Sequence, residues 1–94
     1  MTSSKGIAYK DGEYLPLEES FIHIMDPAFT KGDAVFDVVT VWDNNFFRLN
    51  DHLKRFRSSC DYVRLTPPHT DDEIKHMLAQ CVAQADLSES MVWM

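Results

Sequence analysis

Hydrophobic and polar residues alternate in short runs through the first half of the chain and follow a helical period through the second. Ile74, Met77, Leu78, Cys81, Val82 and Ala85 fall at i, i+3, i+4, i+7, i+8 and i+11, which aligns them on one helical face. Ahead of them Thr70-Asp71-Asp72-Glu73 has the form of a capping box, and its acidic residues suit the positive end of the helix dipole. The pattern closes near Asp86-Leu87. An earlier helix is expected from Leu53, Phe56, Cys60 and Val63, with Asn50 as its cap and Asp51 as its first residue, ending before Thr66-Pro67-Pro68. Arg55 lies off that apolar stripe.

The first half reads as strands. Ile7-Ala8-Tyr9-Lys10 and Glu13-Tyr14-Leu15 flank Asp11-Gly12, a dipeptide suited to the positive φ angles of a tight turn, so a hairpin is predicted there. Phe21-Ile22-His23-Ile24-Met25 is a second β-rich run, stopped by Asp26-Pro27. Ala34 to Trp42, AVFDVVTVW, is expected to be the longest strand, and the turn cluster Asp43-Asn44-Asn45 folds it back onto Phe46-Phe47-Arg48-Leu49. Ala34, Phe36, Val38 and Thr40 share one face of it; Val35, Asp37, Val39 and Val41 share the other. Apolar groups on both faces predict burial on both. Met91-Val92-Trp93-Met94 is a strand-like tail with no terminating turn. Strands first and helices second give an α+β fold, a small antiparallel sheet with two helices packed on it.

Ninety-four residues make one domain. Hydrophobic content of 45% and charged content of 26% place the chain among folding sequences rather than disordered ones. Nine Lys+Arg against fifteen Asp+Glu give a net charge of −6, which argues against nucleic-acid or anionic-membrane binding. Apolar stretches are far shorter than the ~20 residues a spanning helix needs, and no secretory leader is visible, so a cytoplasmic location is expected. Cys60 and Cys81 sit in separate helices without metal spacing and read as small apolar groups.

Candidate chemistry is sparse. Arg48, Lys54, Arg55, Arg57 and Arg64 supply five of the nine cations within a short stretch, and one arginine projecting into a cleft would suit a phosphate monoester. The plainer reading of that cluster is a solvated helix face. His23, His52, His69 and His76 have no metal-ligand spacing, so no metal is expected, and His52 reads as a packing or hydrogen-bonding residue. Asp33 and Asp37 read as turn and strand-edge residues. Gly6, Gly12 and Gly32 are isolated and form no phosphate loop, and no lysine sits in the apolar setting of a Schiff-base amine.

The ordered set Gly32-Asp33-Ala34-Val35-Phe36-Asp37, Val41 to Leu49, and His52-Leu53-Lys54-Arg55-Phe56 resembles the start of the class IV aminotransferases. These are fold-type IV pyridoxal-phosphate enzymes that include branched-chain, D-amino-acid and (R)-selective amine transaminases. The resemblance runs from the Asp11-Gly12 hairpin to the second helix. It implies that residues 1–94 are the N-terminal domain of an aminotransferase that moves an amino group between an amino acid or amine and a keto acid. It assigns the cofactor phosphate to Arg55, through the family's His-x-x-Arg helix, and the substrate pocket to Phe36 and Val38. Lys31 stands in the loop that approaches the other subunit, which implies a homodimer and a further substrate contact. The family's catalytic lysine lies in a second domain, and none of these residues matches it, so no catalytic residue is expected within residues 1–94. Trp93 stands where branched-chain members place an arginine. Alternative expectations are a noncatalytic dimerising or anion-binding module, and an eliminase resembling aminodeoxychorismate lyase, which shares the same first domain.

Overall fold

The computed structural model describes residues 6–87 and 89–94. Strand β1 (Ile7–Lys10) pairs antiparallel with β2 (Glu13–Pro16), and Asp11 and Gly12 between them take φ of 51° and 86°. Positive φ at both turn positions matches the right-handed twist of the strands, which is why Asp-Gly suits this connection. A second sheet has the order β4-β3-β5, from β3 (Val38–Trp42), β4 (Asn45–Phe46) and β5 (Glu89–Trp93), all antiparallel. Asp43 and Asn44, again with positive φ, make the two-residue turn joining β3 to β4.

Among the described residues three α-helices complete the α+β arrangement: a single turn α1 (Pro27–Thr30), then α2 (Leu49–Tyr62) and α3 (Asp71–Ala85). Both halves of the expected capping box are formed at α3: Glu73 N–H donates to Thr70 Oγ1 (3.1 Å) and Thr70 N–H donates to the Glu73 carboxylate (2.9 Å). Those bonds hold the Glu73 carboxyl below its ordinary range. Ile74, Leu78 and Val82 are buried, and Met77, Cys81 and Ala85 half-buried, so the whole expected stripe faces inward. Leu53 of α2 meets Ile74 and Leu78 in the core, with Phe46, Leu49, Phe56, Met77, Val92 and Met94 around them. Cys60 is buried and Cys81 half-buried, both are free thiols, and burial pushes both upward in pKa, away from the reactive thiolate.

Four expectations are corrected. Phe21 to Met25 is not a strand: it finds no partner strand and runs as an exposed loop, Phe21 being 73% accessible. The long strand is shorter than expected, since regular pairing begins only at Val38, although Asp37 and Met94 exchange both backbone hydrogen bonds (3.0 Å each) just ahead of it. Its faces are also unequal. Asp37, Val39 and Val41 are buried against the helices, whereas Phe36, Thr40 and Trp42 are exposed and Val38 is half-buried. Helix α2, finally, begins at Leu49 after a left-handed Arg48 (φ 54°), so Asn50 lies inside the helix rather than capping it.

Among the described residues, no helix is long and apolar enough to cross a membrane, and no group of three or more His, Cys, Asp or Glu side chains gathers as a metal site.

Candidate functional site

The site is built where the start of β3 meets the second turn of α2. Residues His52 and Arg55 are three apart, so they share one side of the helix. Leu53 between them is buried and fixes the helix rotation, which turns that side toward the entry of β3. There Asp37 is held by its backbone pair with Met94 and points to the helix face of the sheet.

Asp37 is buried, and among the described residues its side-chain hydrogen-bond partners are both on α2. Arg55 Nε–H donates to Asp37 Oδ2 at 2.7 Å and Arg55 Nη2–H to Oδ1 at 2.8 Å, a side-on fork. His52 Nδ1 lies 2.7 Å from Oδ1. An ionised carboxylate only accepts, so Nδ1 carries the hydrogen here, and the 3.4 Å approach of Arg55 Nη2 to the same nitrogen sets two donors side by side. The Arg55 hydrogen bonds, and then those of His52, hold the Asp37 carboxyl down at about 2 against an ordinary 3.8, outweighing the burial that opposes them. The same pairing pushes the Arg55 guanidinium up. No buried side-chain N or O lacks a partner among the described residues.

Arg55 itself is not buried. Its side chain is 67% accessible while Asp37's is 3%, so the pair sits at the lip of the interface with the carboxylate inside. Side-on pairing uses Nε–H and one Nη2–H, and leaves the end of the fork, Nη1 and the outer Nη2–H, out of that pairing on a mostly accessible side chain. That end matches two oxygens of a phosphate or carboxylate.

Phe36 and Val38 lie on the opposite face of the same strand. Phe36 stacks on Trp93 with ring centroids 5.2 Å apart and planes at 21°, while Val38 pairs with Trp93 in the β3–β5 register. Both rings remain about two-thirds exposed, at 66% and 64%. Lys31 is the exposed residue that closes α1. The four residues singled out from the sequence therefore form two groups and an outlier: Arg55 on the helix face, Phe36 with Val38 on the open face, and Lys31 apart on its loop. None of them lines the cavity of about 670 Å³ between β1, α3 and β5, whose wall includes Ile7, Tyr9, Met77, Cys81 and Val92.

The cationic cluster is largely answered from within. Arg48 pairs with Asp51 (2.8 Å), Arg57 with Asp71 (2.9 Å) and Arg55 with Asp37, so much of it is structural. The residue of this site that the sequence does not single out is Asp37, which reads there as a strand-edge residue. A signal was present: it is the one charged residue on the face shared by Val35, Val39 and Val41, and a lone acid on a core-facing register demands a cationic partner.

Known proteins are similar to this chain in sequence and in fold. A D-alanine aminotransferase of Listeria monocytogenes is 27% identical over 77 residues, covering 82% of this chain and 27% of its own length. The branched-chain-amino-acid aminotransferase of Salmonella typhimurium is 24% identical, covering 98% of this chain and 31% of its own. In structure, the T.th. branched-chain amino acid aminotransferase with pyridoxamine 5′-phosphate superposes with a TM-score of 0.87 at 22% identity, over 98% of this chain and 32% of that one. The chain thus spans about a third or less of the relatives it matches. The family model for amino-transferase class IV matches residues 34–94, a span that includes Asp37, His52 and Arg55. With that match over more than half of its residues, the chain belongs to the class IV aminotransferase family.

Proposed function

We propose that this chain is the N-terminal domain of a pyridoxal-phosphate-dependent aminotransferase that moves an amino group between an amino acid or amine and a keto acid. One observation carries the reading: Arg55 is pinned side-on by a buried carboxylate, and the end of its guanidinium fork is left out of that pair on an accessible side chain. A fork in that pose fits the dianionic phosphate monoester of the coenzyme, and its planar donors match phosphate oxygens better than a point charge would. When bound, the coenzyme supplies the aldehyde that accepts the amino group and the ring that disperses charge at the substrate's reacting carbon.

The residues of this chain bind and orient. Arg55 holds the phosphate, His52 keeps Asp37 in place, and Phe36, Val38 and Trp93 offer an apolar wall to the substrate side chain. The lysine that the chemistry requires belongs to a second domain, and Lys31 with its exposed loop is assigned to a partner subunit's site in a homodimer. The apolar side chains left open along 21–29 and on the outer face of the sheet support such covering partners, since a folded protein rarely leaves so many together in water. A cytoplasmic location goes with this reading.

The test begins with the coding sequence beyond Met94, which is expected to continue into a lysine-bearing domain. The complete polypeptide is then assayed with an amino donor, with and without a keto-acid acceptor. Acceptor-dependent transfer supports the proposal. Release of pyruvate without an acceptor identifies an eliminase instead, and absence of any continuation leaves a noncatalytic module.

A further inference from the structure

We infer that Asp37 is the positioning residue of the phosphate site, holding the Arg55 guanidinium side-on so that its end faces the incoming anion. This rests on the phosphate reading of Arg55.

Three observations carry it. Arg55 is a long side chain, mostly in solvent, and an untethered arginine loses rotamer freedom on binding. Asp37 removes that freedom in advance, with two bonds of 2.7 and 2.8 Å from a rigid base. The base is rigid because the Asp37 main chain is locked to Met94 by two hydrogen bonds and its Oδ1 is held a second time by His52. The same two bonds choose which edge of the guanidinium remains free. Had the carboxylate taken the end of the fork, the edge left for a ligand would be the side-on pair Nε–H and Nη2–H, set back along the side chain, rather than its tip.

Charge alone predicts the reverse behaviour. Asp37 cancels much of the Arg55 charge, so an electrostatic account has its removal tighten the binding of an anion. Positioning has its removal weaken it. The sign of one measurement separates the two.

The experiment uses the polypeptide continued through its lysine-bearing domain and freed of coenzyme, and measures equilibrium binding of pyridoxamine 5′-phosphate and of pyridoxamine. Neither ligand carries an aldehyde, so turnover and the lysine do not enter. In Asp37→Asn the affinity for pyridoxamine 5′-phosphate is expected to fall about tenfold, with pyridoxamine unchanged, and Asp37→Glu is expected to recover most of the loss. Arg55→Lys provides a second arm that leaves the buried carboxylate paired with a cation: lacking a fork, it too is expected to lose phosphate preference about tenfold. Unchanged or tighter binding of pyridoxamine 5′-phosphate by a folded Asp37→Asn overturns the positioning role, as does unchanged preference in Arg55→Lys if Asp37→Asn does not fold. Arg55→Ala tells the two ideas apart. If it keeps the full preference for the phosphorylated ligand, the phosphate reading fails; if it loses that preference while Asp37→Asn does not, positioning alone fails.

Discussion

Asp37 and Arg55, eighteen residues apart, form an ion pair that is closed to solvent at one end and open at the other. The consequences of cutting it are therefore unequal. Removing Arg55 leaves a buried carboxylate with His52 as its remaining side-chain partner, whereas neutralising Asp37 leaves an arginine that water can reach. Urea unfolding is expected to rank Arg55→Ala as more destabilising than Asp37→Asn. Equal costs, or the reverse order, contradict the burial assigned to the carboxylate.

The same pair sets a pH dependence. The Asp37 pKa is lower in the folded chain, at about 2, than its ordinary 3.8, so the unfolded chain takes up a proton first as the solution is acidified. Its stabilisation is complete above about pH 4 and is lost as pH falls from there through about 2, amounting to at most about 2 kcal/mol. Denaturant midpoints measured across that window are expected to show this loss in the parent chain and less of it in Asp37→Asn. Glu73, held down by Thr70, adds a contribution of the same sign that both chains share.

Helix α3 depends on its first turn. Thr70→Ala removes the side-chain half of the capping box and is expected to cost about 1 kcal/mol, while Thr70→Ser costs less. Chemical unfolding checks both. Loss of the cap should also return the Glu73 carboxyl toward its ordinary range, readable from its side-chain carbon shift.

The open face of the sheet predicts a contrast in cost. Leu53→Ala, at the centre of the core, is expected to destabilise by about 3 kcal/mol. Phe36→Ala and Trp93→Ala are expected to cost about 1 kcal/mol or less each, and to show coupling in a double-mutant cycle because the rings stack. A cost for Phe36→Ala as large as that for Leu53→Ala contradicts an exposed ring.

Local signals in the sequence carried over well. The i, i+3, i+4 stripe of α3, the Thr70 to Glu73 box and the Asp11-Gly12 turn depend on residues close in sequence, and each forms as read. What depended on distant partners did not. Phe21 to Met25 has the composition of a strand, but a strand exists only where another pairs with it, and its residues alone do not say so. The capping of α2 failed for a related reason: the β3–β4 hairpin delivers the chain to the helix through a left-handed Arg48, one residue ahead of the side chain best suited to cap. Arg55 is singled out in the sequence by family resemblance and by its position off the apolar stripe, and the structure pairs it with Asp37. Its carboxylate partner was legible only as an acid out of place among valines, because α2 and β3 meet in space rather than in sequence.

The central claim, that Arg55 takes a phosphate through the free end of its fork, is tested most directly by a crystal structure of the lysine-bearing polypeptide with pyridoxamine 5′-phosphate. Phosphate oxygens are expected about 2.7–3.0 Å from Nη1 and Nη2 of Arg55, with Nε still on Asp37. A phosphate seated elsewhere, with Arg55 contacting only water and Asp37, contradicts the account.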